Sequence, residues 1–562
     1  MKNATGSFLF DFLSSNLNLL LACAIPLYIA GTYFRYVYRF RSANRKHENG
    51  STTIPPTAPY IIPYMGHAIA FLRDPTEFVK QKIYLATKDT QRPVHLKLGP
   101  ESLFVIQGAR NLRTLWRFSS NLSPNSTFHY ALTNFFGMNE KSSKTYLLDD
   151  SGIGHEPTAG SSVKPHNRVG FLNHHLFTDF LTGPGFRPLT TRFEKEIMGF
   201  KARILDMCGS EKKETKRTGD FLELFTMELT RTSLHATCGP LLLELDPDFP
   251  RRFWIYSCGL PHFLRRIPRL FAREAYEARD SLVASVKLWH TAARLRFEPR
   301  YVDEAADVDP FWGCNFFRRR QETLGGIDNY DADAIASEDF AAIWGFNHNV
   351  ILAAFWVSYE VFRDRALLSR VENEVAACAD PTKPSGIDVE KLVTMPLLQS
   401  IWAETLRLRV HIFMSRKVSQ ADLNINHWLV PRDNVVFVSS TPAHMDTASW
   451  SCGPDDSHAL NEFWADRFLV PQSDGTAAFR LDASMSGSWI PFGGGVQMCP
   501  GRHFAKREAL LTCAILVSCF DVDLVVPDGG MEMDWSTCGT GTLKPKARIP
   551  YSIGRKGDGG VD

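Results

Sequence analysis

Cys499 stands between two glycine-rich turns, in the stretch WIPFGGGVQMCPGRHFAKRE that begins at Trp489. A cysteine reacts or ligates as its thiolate, which needs positive potential and hydrogen-bond donors. Residues 501–507 have helical character, and a helix N-terminus supplies both free amides and a favourable dipole. The glycines at 493–495 predict a tight turn with positive φ, its amides aimed at the sulfur. Phe492 would shield the thiolate from water. Pro500 fits a first helical position, where its missing N–H costs nothing. Upstream, Glu404 and Arg407 are three apart and share one helix face, where they can pair.

A second candidate lies at the centre of an apolar helix expected over 337–363, with Ser337 as its N-cap. Asn347, His348 and Asn349 interrupt it. Polar side chains in a buried helix are costly unless paired or facing a cavity. A satisfied polar patch in the core is one reading; a face toward a cofactor or substrate pocket is the sharper one. His348 would titrate near neutral pH and could carry protons.

The elements that position these residues read as mainly α with small β-sheets. Residues 17–34 carry no charge and are long enough to approach a membrane span; Arg35, Arg39, Arg41, Arg45 and Lys46 follow. A basic flank stays on the cytoplasmic side, so the body would be cytosolic behind a single N-terminal helix. A cleaved signal peptide fits less well, because the basic cluster follows the apolar run. Asn3 would then be a reachable glycosylation sequon, and Asn121 and Asn125 would not. Residues 1–46 are thus read as anchor, 47–66 as a stiff proline-rich hinge, and 67–562 as one catalytic domain. Within it, 141–166 reads as a surface loop, and β-like runs fall near 94–106, 417–438 and 521–526. The net charge of +2 gives no reason to expect nucleic acid as partner. The 11 cysteines contain no Cys-x-x-Cys pair, which argues for free thiols rather than a disulfide or zinc framework.

Phe492-x-x-Gly495-x-x-x-Cys499-x-Gly501 resembles the haem-binding signature of the cytochrome P450 superfamily. Glu404-Thr405-Leu406-Arg407 is similar to that family's Glu-x-x-Arg pair, and Arg467, in the stretch FWADRF, to the arginine that joins it. The resemblance covers essentially the whole chain. It implies the P450 fold with a transmembrane helix, haem b held by Cys499, and a network of Glu404, Arg407 and Arg467 that keeps the cysteine loop in register. It assigns a haem propionate to Arg416 and, more weakly, to His444; Gln497 replaces the family's usual basic residue two before the cysteine. The long helix is similar to the oxygen-binding helix, with His348 at the usual acid position and Asn349 at the usual threonine position. Asparagine there is shared with the subgroup of sterol 7-hydroxylases and prostacyclin synthase.

The implied activity is monooxygenation of a lipophilic molecule, terpenoid or steroid-like or a polyketide, as in fungal secondary metabolism. The implied setting is the endoplasmic reticulum membrane. NADPH–cytochrome P450 reductase is the implied electron donor, with Arg502, Lys506 and Arg507 as candidate docking residues or else a solvated helix face. Substrate-facing positions by resemblance are Ile412, Phe413, Met414, 538–542, Phe346 and Leu352. Two rival classes stay open: a haem-thiolate isomerase or dehydratase, and a haem sensor with His348 as second ligand.

Overall fold

The computed structural model describes residues 17–45, 52–78, 91–208, 217–306, 308–527 and 529–557. Asn3 and Lys46 lie outside them. The first helix, α1 (Leu17–Arg45), is longer than the apolar run alone and contains Pro26. Ile25, Leu27, Tyr28, Phe34 and Tyr38 are exposed on it. The proline-rich stretch behind it is strapped to the body rather than free. Thr53 N–H donates to His427 (2.8 Å), Ala58 N–H to the His95 carbonyl (2.9 Å) and Gly99 N–H to Met65 (3.0 Å).

That strap runs along the edge of the principal sheet. Strands β1 (Val94–Leu98) and β2 (Glu101–Val105) pair antiparallel, and β3 (Val410–Val418), β4 (Val435–Ser439) and β6 (Thr540–Thr542) complete the order β1-β2-β4-β3-β6. A second small sheet pairs β5 (Phe520–Leu524) with β7 (Pro550–Arg555) and then with Arg217–Asp220. Everything else of size is helical, which is the mainly-α architecture expected. Strand β3 begins at Val410, directly after α7 (Pro396–Arg409), seven residues before its sequence signal at 417. The expected surface loop starts as a helix, Glu140–Leu148, capped by the Asn139 side chain.

The core organises around α6, which runs Ala332–Phe362 and starts five residues before the expected 337. Its cap is Asp331, whose carboxylate accepts from Ala334 N–H at 2.8 Å, not Ser337, which is buried within the helix. The helix is apolar around most of its circumference, so neighbours wrap it. It is also the helix among the described residues whose length and hydropathy would suit a membrane, and its burial makes it core instead. Helix α8 (Arg502–Cys519) packs along it, as does α4 (Arg273–Arg296).

Near the start of α6, Glu338 and Asp339 do not decorate a solvated first turn. They are buried against Arg320 of α5 (Asn315–Leu324), whose Nε lies 2.5 Å from Asp339. Tyr146 and Tyr330 hydroxyls donate to Glu338 at 2.7 and 3.0 Å, and His290 lies 3.1 Å from Asp339. A fully buried guanidinium is tolerated only with such a complete set of partners.

Candidate functional site

The loop that carries Cys499 is shaped by its glycines. Gly493 and Gly495 have φ of +74° and +70°, whereas Gly494 is extended. A Cβ on Gly494 would lie 2.5 Å from the Trp116 indole nitrogen, and one on Gly495 would lie 2.5 Å from Ser119. The turn therefore presses backbone directly onto α2 (Ala109–Arg117) and the turn behind it. Cys499 N–H donates to the Phe492 carbonyl at 3.0 Å, which closes the loop; half-buried Phe492 packs edge-on to Trp489.

The cysteine lies deep in the body, yet its side chain keeps open surface. Burial pushes its thiol pKa up, and the amides of Gly501 and Arg502 and the Arg502 charge oppose that shift. Those two amides stand at the start of the following helix. Helix α8 starts at Arg502 with Gly501 as its cap, so Pro500 stands just outside it. A Cβ on Gly501 would sit 3.8 Å from Cys499 Sγ. Helix-start amides plus a cationic flank form a thiolate site, and a bound metal ion deprotonates a coordinating thiol outright.

Behind the loop, Glu404, Arg407 and Arg467 form one buried network. Arg407 grips Glu404 with two hydrogen bonds (Nε–Oε2 2.7 Å, Nη2–Oε1 2.9 Å), and Arg467 Nε reaches Oε1 at 2.9 Å. The remaining guanidinium donors go to the carbonyls of His444, Leu460, Ser451, Ala459 and Glu462. Two bonds tie this network to the cysteine loop. Trp489 Nε1 donates to the Ala403 carbonyl (3.1 Å), and Ile490 N–H donates to His444 Nε2 (3.1 Å). His444 is therefore an acceptor at Nε2, fully buried behind the loop, and its Nδ1 is buried without a partner among the described residues. Burial, reinforced by His411 and Arg407, holds its pKa well below the usual range.

Helix α6 keeps a narrow, partly open face. Ala341, Gly345 and Asn349, each four residues from the next, keep surface in the middle of the helix, as does Trp344, and a Cβ on Gly345 would meet nothing within 4 Å. Asn349 Oδ1 accepts from Thr542 N–H at 2.8 Å. His348 is not on this face. It is stacked on Trp344 (4.9 Å) and lies beside Trp254 (5.7 Å), with both ring nitrogens buried and unpaired. Burial drops its pKa to about 3, so it is neutral at physiological pH. That corrects the expectation of titration near neutrality. Asn347 bonds only its own helix, to the Ile343 carbonyl. Phe346 packs among Phe177, Phe180 and Phe316, and Leu352 is buried, so neither lines the open face. Ile412 and Phe413 are half-buried on β3; Met414 is buried beside Gly493.

The residues fit a large flat anionic metallocycle. Arg416 is half-buried, bonds only the carbonyl of its neighbour Ser415 (2.8 Å) and forms no ion pair among the described residues. Burial lowers its pKa to about 10. A buried cation without an anion is expensive, and a propionate supplies one. The Trp116 indole N–H, likewise buried without a partner, offers a donor on the same side of the loop. Sequence reading missed Trp116: an indole 383 positions before Cys499 (499 − 116) carries no local signal. Gln497 reaches the Leu122 carbonyl (3.4 Å). All 11 cysteines are free, and no cluster of three or more metal-ligating His, Cys, Asp or Glu occurs among the described residues.

Comparison with known proteins agrees with this geometry. The sequence model of the family described as Cytochrome P450 matches residues 320–549. The chain is 28% identical over 526 residues to the cytochrome P450 monooxygenase efuG of Hormonema carpetanum, covering 89% of this chain and 90% of that protein. It is 29% identical over 555 residues to the cytochrome P450 monooxygenase fsoE of Humicola fuscoatra (92% and 90%). A more distant match is the 25-hydroxycholesterol 7-alpha-hydroxylase of Rattus norvegicus, 24% identical over 347 residues (59% and 76%).

Proposed function

The chain belongs to the cytochrome P450 superfamily and is an enzyme of its monooxygenase family, and from that premise we propose that it oxidises a lipophilic terpenoid or steroid-like molecule in a biosynthetic pathway. The observation that carries this reading is the placement of Cys499: deep, with open surface, in a glycine-shaped loop directly before the start of α8. Haem b bound through that thiolate would supply oxygen activation, the thiolate favouring O–O cleavage. Arg416 and Trp116 would hold its propionates, and Gly345 would leave space beside α6.

The chain's own residues do the rest. The Gly501 and Arg502 amides stabilise charge on the sulfur. The Glu404 network fixes the loop's position. The apolar positions of the α6 stripe and of β3 would orient an apolar skeleton. Kinship with a sterol 7-hydroxylase favours a polycyclic substrate over a polyketide. Electrons would come from NADPH–cytochrome P450 reductase. Of the three candidate docking residues, Lys506 donates to Gln399 (2.8 Å), Arg507 pairs with Glu390 (2.7 Å) and Arg502 donates to the Cys499 carbonyl (3.0 Å), so Arg502 is the one with no side-chain partner among the described residues.

Membrane attachment through α1 is part of the same reading. A second observation supports it: Leu270 and Phe271 are exposed between Arg265, Arg266, Arg269 and Arg273, a combination suited to an anionic bilayer surface. The endoplasmic reticulum would then be its location, with the body cytosolic.

The test is co-expression with the reductase, feeding of candidate triterpenoids and sterols, and mass spectrometry. Gain of one oxygen, dependent on NADPH and lost in Cys499→Ala, supports monooxygenation. Conversion without mass change and without reductase would instead establish the isomerase.

A further inference from the structure

We propose that Asn349 is a positioning residue that fixes the strand wall of the site, and not a carrier of protons; this rests on the haem-thiolate reading above. The residue is bonded to Thr542 twice. Its Oδ1 accepts from Thr542 N–H (2.8 Å), and its backbone carbonyl accepts from the Thr542 hydroxyl (3.1 Å). Seven residues along the same helix face, Trp356 Nε1 donates to the Leu543 carbonyl (2.7 Å). Strand β6 is thus stapled to α6 at two adjacent points, while its other edge pairs with β3 through Thr540–Ile412 and Thr542–Val410.

The staple sets what precedes it. Gly541 has φ of +144°, and a Cβ there would lie 1.9 Å from Asn349 Oδ1. Only glycine lets the strand approach this closely. The side-chain oxygen faces a backbone N–H, so the carboxamide orientation is determined, and its Nδ2 is the end left on the open face. Nδ2 makes no hydrogen bond among the described residues and is not among the fully buried atoms. A proton carrier must accept as well as donate; this free end only donates. With His348 neutral and turned into its indole sandwich, the pair at 348–349 holds no relay. What Asn349 does is hold β6 against α6, and so set how much room a ligand has between the helix and the strand.

The experiment uses the full-length haem-loaded protein and two probes, imidazole and 1-phenylimidazole, titrated optically; the second needs the room that the strand wall limits. Hydrogen exchange at the 540–544 segment is read in parallel. Asn349→Ala is expected to change the ratio of the two dissociation constants by roughly two- to tenfold and to speed exchange at Thr542 by a similar factor, the range of one backbone hydrogen bond. Gly541→Ala should lower the yield of haem-loaded protein, and adding Asn349→Ala should restore part of that yield, because the obstructing oxygen is gone. An unchanged ratio and unchanged Thr542 exchange in Asn349→Ala would overturn the proposal. So would a Gly541→Ala defect that Asn349→Ala does not relieve. Failure of the haem-thiolate reading shows separately, as a wild-type protein lacking the thiolate–carbon monoxide band, and the exchange readout does not depend on it.

Discussion

Replacing Glu404 by glutamine tests the network behind the cysteine loop. The carboxylate is fully buried and shared by two guanidiniums, Arg407 with no exposed surface and Arg467 at 1% of its side chain. The substitution keeps the shape and removes the only anion that either cation contacts at 2.7–2.9 Å. Five backbone carbonyls still accept from the two arginines, so the cations do not lose every partner. Breaking a buried pair from one side costs about 3–5 kcal/mol, because charge is left unpaired in a poorly polarisable interior. That is a large part of a folding margin of about 5–15 kcal/mol. Damage should reach Cys499 first, since Ala403 and His444 hold Trp489 and Ile490 directly. The assay compares denaturant midpoints and the fraction of haem in the thiolate form for Glu404→Gln and for Glu404→Gln/Arg467→Met. The double variant removes one orphan cation and should recover part of the loss. A single variant within about 0.5 kcal/mol of wild type, with its thiolate fraction intact, would refute the role given to the network.

Other expectations follow from named side chains. Arg416→Leu removes an unpaired buried cation, so haem-free protein should be no less stable, while haem transfer to apomyoglobin should accelerate by at least tenfold, the scale of losing one partner of a buried charge pair. His348→Phe should stabilise the fold by about 1–3 kcal/mol by eliminating two buried unpaired nitrogens, with the pH profile of turnover unmoved; a lost acid limb would restore His348 to the mechanism. Glu508 is buried on α8 with neither oxygen hydrogen-bonded, and burial, only partly opposed by Ser233, raises its pKa to about 8. The folded protein thus holds this proton more tightly than the unfolded chain. Stability from it is complete below about pH 4.5 and declines as pH rises to about 8. Thermal melts should show Glu508→Gln matching wild type near pH 5 and exceeding it at pH 8.5; parallel curves would contradict the assignment.

The loop around Cys499 and the pairing of Glu404 with Arg407 were legible because they are local: turn glycines, a helix start and a three-residue spacing each constrain backbone within one segment. Asn349 was visible as an anomaly in an apolar helix, but its partner Thr542 lies 193 positions away and no spacing rule points to it. The same holds for Arg320, whose buried partners come from several separate elements, and for Trp116 beneath the cysteine loop. His348 misled for a related reason. An isolated imidazole titrates near neutrality, and only the tertiary packing of Trp254 and Trp344 removes it from that range. The start of α6 was misplaced because Glu338 and Asp339 look like first-turn acids, when they are the counter-ions of Arg320.

The bond between Cys499 sulfur and haem iron underlies the whole account, and carbon monoxide reads it directly. Ferrous, haem-loaded protein exposed to the gas should give the strongly red-shifted Soret band of thiolate ligation, and Cys499→Ser should abolish it while leaving the fold intact by circular dichroism. A folded, haem-loaded wild type without that band, or a serine variant that keeps it, would contradict the account.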